Sequence, residues 1–591
     1  FPCAVNEALR HLIAHDAVLL NSDTLVAEGW LEALRKIAYA AADTGTVTPL
    51  SNDASIFSYP DKNGANPVPD QEETDMFMQM AQAANRGRAV EVPTAHGFCM
   101  YIRHDCLQQT GLLREDVFAQ GYGEENDFCM RARALGWKHM VASGVFVAHV
   151  GSSSFGESGS PLMVRNQKVL EQLHPGYHDY VARWMAADPL FPERRRLDLV
   201  RFRSARAEDF SDQAVLLVTH AVGGGVEKVV QERIAFWCDR KIRPLILRPS
   251  EQGCVLEDGG SPAKYPSLYF TFAKEMALLL RLLHAEGVGR IEFHQTAGHD
   301  QQVIDLPARL KCAYDVFVHD YIWFCPRISL MGWENRYCGE PDVATCEVCV
   351  TVLGRRVDDA LSVAAYRKAA HIFLKKAEQV FVPSRDTGRR MQKYFSDVRF
   401  SVRRLEKDSF LKKQFQFPVQ VERKTAQASA FLAQGLKRTA PRIRVCVVGG
   451  IGPEKGYDIL LALAVDAALR DLPLEFVVVG HTRDDARLLK TERIFVTGEF
   501  QKEDVVSLIH AVDADIALLP SVWPETWCFA LGDIWKAGLH VVAFDLGAPA
   551  ERIRSTGLGS VVPFGISIQE LNKKLLEKGR EMEKKRRLSL T

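Results

Sequence analysis

ADIALLPSVWPETWCFALGDIWKAGLHVVAFDLGAPA, residues 514–550, is the stretch on which the reading of the whole chain turns. Ile516–Pro520 is an apolar run stopped by proline, and His540–Phe544 is a second run rich in β-branched residues. Between them, Phe529–Ala537 has helical spacing, with Phe529, Ile534 and Ala537 on one side and Gly538 where a helix stops. Two parallel strands joined by a helix form a βαβ unit, whose ligands sit at the carboxyl ends of the strands. The loop there carries Glu525, and a helix starting at Phe529 offers free N–H groups to a phosphate. Asp533 follows Glu525 by eight positions, just over two helical turns, so both acids can line one side of a bound ligand. Taken alone, the pair could equally be a helix-capping glutamate and a solvated aspartate.

The surrounding composition is that of a globular protein. The 591 residues suffice for three or four domains, with 47% hydrophobic and 25% charged residues. Lys+Arg and Asp+Glu are equal at 74 each, which argues against nucleic acid as a partner. Thirteen scattered cysteines suit a reducing, cytoplasmic compartment rather than a disulfide framework. No apolar run approaches the roughly 20 residues of a membrane-spanning helix, and no signal peptide is visible. The chain starts at Phe1 without methionine, which suggests a fragment or a processed form.

Toward the start, an apolar strand ending at Leu20 runs into Asn21-Ser22-Asp23-Thr24, and an acid at a strand end is where a cation that neutralises phosphate is held. Glu124, Glu125 and Asp127 crowd one short segment ahead of a predicted helix, FCMRARALGW, and a strand Val145–His149 ends in histidine. Such acids repel one another unless a cation or a catalytic task holds them, or they decorate a helix N-terminus. Gly151–Pro161 reads as a loop, and Leu162–Leu190 as helices around an HPGY turn. Arg194-Arg195-Arg196 with Leu197, Val200 and Phe202 makes a short basic amphipathic stretch, either a solvated linker helix or a contact with anionic lipid.

A new strand, AVLLVTH, begins at Ala214 and leads through Gly223-Gly224-Gly225 into a helix, so that backbone can approach a ligand closely. Strand Tyr314–His319 ends in a second histidine, while His294 and His299 read as structural or acceptor-side. Cys325, Cys338, Cys346 and Cys349 follow at intervals of twelve, seven and two residues, a candidate structural zinc site beside the default of four buried thiols. Arg385–Ala440 should contain a hinge. Arg442–Val448 opens the last domain ahead of a glycine-rich loop holding Lys455, with further strands at Leu474–Gly480 and Arg493–Phe500. The charged tail from Lys573 should fray.

The acid of the Pro-rich loop and the second acid after seven residues resemble the family-four glycosyltransferases of GT-B fold, glycosyl transferases group 1. The Asn21-Ser22-Asp23 turn after the first strand and the acids at Glu125 and Asp127 resemble family-two glycosyltransferases of GT-A fold. The resemblance implies an α/β protein with a partial GT-A nucleotide-diphospho-sugar transferase fold and a GT-B fold of two Rossmann-like domains. The expected bounds are 1–190 for the first module, 191–211 for a linker, 212–435 for the acceptor domain and 436–591 for the donor domain. It further implies nucleotide-sugar donors, a lipid-linked or oligosaccharide acceptor, and a role in bacterial surface polysaccharide (O-antigen or capsule). The place implied is the cytoplasm, peripheral at the inner membrane.

In the first module Glu125 would be the general base, Asp127 its neighbour, and Asp23 with His149 the holders of Mn2+ or Mg2+, although Asn21 replaces the usual first acid. In the second, Lys455 and the Phe529 helix start would hold diphosphate, Glu525 the sugar, Asp533 the ribose, and Gly224, Gly225 and His319 would face the donor. Gly450 stands where an arginine is usual, and Asp533 where a glutamate is. These departures motivate the alternative of a non-catalytic nucleotide-sugar or glycan-binding scaffold. Because the metal motif arrives by Asp23, the first module is expected to lack its base pocket and the donor to bind only in the second.

Overall fold

The computed structural model describes residues 2–12, 14–63, 66–118, 122–150, 159–206, 210–251, 253–357, 359–416 and 442–590. The chain divides into two compact units, Phe1–Phe210 with Val255–Phe270, and Ser211–Cys254 with Thr271–Thr591. Most of the expected loop Gly151–Pro161, and the boundary expected at residue 435, lie outside the described residues.

The first unit is built on a mixed five-stranded sheet in the order Ala17–Leu20, Cys99–Ile102, Thr44–Leu50, Lys138–Phe146, Ala89–Val92. Its middle strand, TGTVTPL, is buried along its whole length, which suits its β-branched residues. Ala17–Leu20 forms one edge, pairing antiparallel with Cys99–Ile102. Beyond it, Thr24–Leu25 pairs with Ala148–His149 so that Thr24 lies opposite His149. That small ribbon carries the Asn21–Asp23 turn to the histidine.

The stretch expected as a solvated linker helix is an α-helix, Phe191–Ser204, but Leu197, Asp198 and Phe202 are fully buried in this unit. Nor are its arginines arranged for lipid. Arg194 is 3% exposed and pairs with Asp188, Arg195 lies over the Phe191 ring, and Arg196 pairs with Glu193 and donates to Asn85 Oδ1 at 3.0 Å. Charge in the sequence is here spent on internal partners, because each guanidinium fork meets a fixed acceptor.

The second unit contains two parallel sheets. The parallel strands of the first run Arg243–Ser250, Ala214–Val218, Val288–Phe293, Ala313–Phe317, Gln379–Val382, Phe400–Val402, within a sheet of eight. The second runs Ile494–Val496, Leu474–Val479, Ile443–Val448, Ile516–Leu519, Val541–Phe544, Gly559–Val562. Largely apolar runs such as IRVCVV and LEFVVV, each with one charged residue, are buried on both faces along nearly their whole length, as parallel strands covered by helices must be. The βαβ unit of the decisive stretch is present, with Ala517 opposite Val541 and helix Phe529–Lys536 between the strands. Each sheet grows outward in both directions from its first strand. The order reverses between Ala214–Val218 and Val288–Phe293, and again between Ile443–Val448 and Ile516–Leu519; ligands of open α/β sheets bind at such reversals.

The expected fraying of the tail is not observed. Helix Ile568–Leu590 buries Leu571 and Leu575, and Asn572 Nδ2 donates to the Leu463 carbonyl at 3.0 Å. Apolar residues four apart on one face anchor the helix despite its charge. Among the described residues, no helix is long and apolar enough to cross a membrane.

Asp198 ties the Phe191–Ser204 helix into the first unit. It accepts from Tyr59 Oη at 2.6 Å, from the Ser267 N–H at 2.8 Å and from Arg201 at 3.1 Å. Asp198→Ala strands three buried donors and should cost about 3–5 kcal/mol. Calorimetry should show the transition of the first unit moving down while that of the second stays in place; an unshifted thermogram would contradict this.

Candidate active sites

In the second unit, Lys455 and Glu525 come from loops after the two strands that flank the second sheet's reversal. Their side chains form an ion pair, and Ser521 Oγ donates to the other carboxylate oxygen of Glu525. Glu525 is 4% exposed. Burial raises its pKa, but Lys455 and Ser521 outweigh burial and hold the carboxyl below the usual range. Lys455 is the mirror case: burial lowers its pKa, but Glu525 outweighs burial and holds it above the usual lysine range. The pairing needs close backbone: a Cβ on Gly456, whose φ is +85°, would fall 2.0 Å from the Pro520 carbonyl oxygen.

The glycine loop of the first sheet meets the helix start of the second. A Cβ on Gly225 would lie 3.2 Å from the Phe529 ring, and Gly224 caps the helix that begins at Gly225. Lys228, one turn on, sits over that ring at 4.0 Å and 3.5 Å from Glu406. His319 Nε2 is 3.2 Å from His294 Nδ1, and the His319 carbonyl accepts from Thr526 Oγ1 at 2.5 Å. Burial, then the neighbouring His294 and His220, push His319 well below the usual range, so its ring is neutral. Asp320 beside it is pushed up to about 6 by burial, against opposing hydrogen bonds from the Ile322 N–H and Gln295.

In the first unit, His149 Nδ1 lies 2.8 Å from the Asp53 carbonyl, which only accepts, so the ring donates there. That orientation turns Nε2 toward Asn21 at 3.4 Å and Asp23 at 3.6 Å. Asn52 bonds both backbone groups of His149 at 2.8 Å. A backbone carbonyl that fixes the tautomer and an imidazole nitrogen beside a carboxylate are the donor set a divalent ion takes. Among the described residues, however, no three His, Cys, Asp or Glu side chains are grouped as a metal shell.

A cavity of about 390 Å³ beside the sheet is lined by His96, Tyr122, Gly123, Glu125, Asn126 and Asn166, among others. Glu125 packs over Gly97, and burial raises its pKa. Burial, then His149, lower His96 to about 4. The chain runs directly from His96 to Phe98, whose ring lies 5.3 Å from that of His149.

Residues 432–589 match the family described as Glycosyl transferases group 1. Residues 2–165 match Glycosyltransferase like family 2. The chain carries two glycosyltransferase regions. Over 120 residues it is 32% identical to a GDP-mannose-dependent alpha-mannosyltransferase of Mycobacterium tuberculosis (strain CDC 1551 / Oshkosh). That match takes in 20% of the chain, which thus spans 29% of the length of this curated relative. Similar solved structures include a glycosyltransferase from Rickettsia africae ESF-5, at TM-score 0.42 and 12% identity over 62% of this chain and 88% of that one. Another is Anabaena Alr3699/HepE in complex with UDP, at TM-score 0.38 and 14% identity over 62% and 89%.

Within the group 1 region, Asp533 is bonded to Lys536 on its own helix at 2.7 Å rather than to Lys455 or Glu525. At Gly450 a Cβ would stand 3.2 Å from His481 Nε2, so the histidine fills the side where an arginine is usual. Ser521, Lys228, Glu406, Asp320 and His481 were missed in the sequence. Ser521 and Lys228 flank quoted motifs, whereas Glu406 reaches the site only through tertiary packing.

Within the family-two-like region, Asp127 is not part of the cavity wall. It is fully buried and held by Arg131 at 2.8 Å and His174 at 2.8 Å, an anchor for helix Glu124–Ala134. The four cysteines from Cys325 to Cys349 line one cavity together but do not form a closed metal shell as they stand.

Glu124, 4% exposed and with Oε2 lacking a partner among the described residues, is raised by burial and by its neighbour Glu125. A raised acid keeps its proton in the fold while the unfolded chain ionises, so stability falls as pH rises above the ordinary glutamate value. Glu124→Gln should therefore add about 1 kcal/mol, roughly 2–4 °C, near pH 7 and nothing near pH 4. Thermal melts at both pH values check it; an equal shift at both would contradict the assignment.

Proposed function

We propose that the chain is a glycosyltransferase that moves sugars from nucleotide-diphosphate sugars, and that its second unit holds a donor at the strand-order reversal. The observation that carries this reading is the Lys455–Glu525 pair, assembled from the two loops at that reversal, the second of which leads into the Phe529 helix start. A diphosphate draws Lys455 to itself and takes the N–H groups of the Phe529 helix start, as anions do. Glu525, freed of its lysine, then accepts from hydroxyls of the donor sugar. Asp533 accepts from the ribose once it leaves Lys536, and neutral His319 can donate to or accept from the sugar. Resemblance to the group 1 enzymes implies retention of configuration without metal.

The first unit contributes a second site of inverting type. Glu125 lines the cavity with a raised pKa, which suits a base that takes the acceptor hydroxyl proton near neutrality. Asp23 and His149 would hold Mn2+ or Mg2+, which supplies charge neutralisation for the donor diphosphate. Asp127 orients the helix that carries Glu125. Two different regions in one chain suit sequential additions to a lipid-linked or growing glycan of bacterial surface polysaccharide. GDP-mannose is the first donor to test, because the matched relative is named for it.

Glu525→Gln separates binding from transfer. With Lys455 released, donor affinity should stay within about threefold, while transfer by the second unit falls about 10²–10³-fold. Titration calorimetry and a radiolabelled-sugar transfer assay measure the two quantities. Unchanged turnover removes Glu525 from the site, and donor binding without any transfer or hydrolysis by the native chain favours a scaffold.

A further inference from the structure

We propose that Cys325, Cys338, Cys346 and Cys349 take up one zinc ion, and that the resulting thiolate cage braces the loop carrying Glu525. All four residues line one cavity of about 250 Å³. They arrive from three pieces of local structure. Cys325 sits in the turn after Tyr321, bonded N–H to carbonyl at 2.9 Å, and Cys338 closes a short ribbon in which Met331 bridges Tyr337. Cys346 and Cys349 lie three apart on helix Val343–Leu353, so both face the same side. This is a hairpin-and-helix frame with sulfur at each corner.

Burial pushes the Cys325 thiol up to about 11 and raises Cys338 and Cys349 as well, and N–H donors aimed at the sulfurs oppose that burial. The Glu340 N–H points at Cys338 Sγ at 3.4 Å, and the N–H groups of Arg327 and Leu330 point at Cys325. Arg367 Nη2 donates to Cys346 Sγ at 3.3 Å. Backbone N–H groups aimed at a sulfur from two residues along stabilise negative charge there, which an ordinary buried thiol does not need. The turn pays in conformation for this arrangement, since Ile328, Leu330 and Glu340 all have φ between +54° and +68°. All four thiols are free and only partly buried, so an ion can reach them. Among the described residues no three such side chains yet close on one point, so the thiols must rotate inward to bind. A tetrahedral thiolate set is what zinc takes.

The bracing follows from what the same segment touches. Tyr321 Oη donates to the Pro524 carbonyl at 2.7 Å, and the Tyr337 N–H donates to the Val522 carbonyl at 3.1 Å. Both acceptors belong to the loop that presents Glu525, so the metal would fix one wall of the donor site from outside it.

The test uses the full chain expressed with added zinc and purified without chelator. Elemental analysis should find about one zinc per chain, and mercurial titration should release it as the four thiols are consumed. Cys346→Ser/Cys349→Ser should lose the metal while Cys528→Ser keeps it, and stripping zinc from the native chain should weaken nucleotide-sugar binding about tenfold. Less than about a tenth of an equivalent in the native chain, or a mass deficit showing a disulfide among the four, overturns the proposal. So does full zinc in the double variant. If that variant does not fold, the mercurial release on the native chain decides alone. Unchanged donor affinity after stripping overturns the bracing.

Discussion

The ion pair between half-exposed Lys455 and buried Glu525 is the contact on which the proposed site of the second unit depends. A carboxylate at 4% exposure is costly to leave alone, so removing Lys455, whose own side chain is 39% exposed, would strand the Glu525 charge. The pair therefore holds together two loops that the sheet topology brings side by side, and the Ala548 N–H bonded to the Glu525 carbonyl at 2.8 Å fixes the second from behind. On the proposed reading, an anionic ligand competes for the lysine that pins the acid, and a lysine–carboxylate contact is exchanged for a lysine–phosphate one. The glycine loop and the Phe529 ring complete that wall without a side chain between them.

Burial sorts the acids of the first unit in the same way. Asp127 is satisfied by Arg131 and His174 and serves the helix. Glu124 lacks a partner on one oxygen and is held neutral-leaning by its surroundings. Glu125 alone of the three opens into a cavity with polar walls. Three acids that look equivalent along the chain thus have three physical fates, set by which cations lie within reach. The Asp23–His149 pair illustrates the complementary case, where a backbone carbonyl chooses the tautomer and so aims the ring.

Much of this was legible in the sequence because it rests on local periodicity. The strand–helix–strand at 514–550, the glycine loop before helix Gly225–Cys238 and the strand leading to His319 follow from apolar spacing and turn residues. Side-chain pairing was not, even where the partners are near in sequence. Asp533 looks like a free acid until Lys536 is seen beside it, and Arg194–Arg196 look like a basic surface until Asp188, Phe191 and Glu193 are placed. The tail's lysines and glutamates hide the two leucines that dock it. Strand order, which locates both reversals, has no local signature at all.

Hydrogen–deuterium exchange of the full chain, with and without the nucleotide sugar that raises its melting temperature most, tests the central claim directly. If the donor sits at the reversal of the second sheet, protection should concentrate in residues 449–457, 521–530 and 222–228, the loops that hold Lys455, Glu525 and Gly225. Protection confined to residues 94–126, or absent from the Lys455 and Glu525 loops at saturating donor, would contradict it.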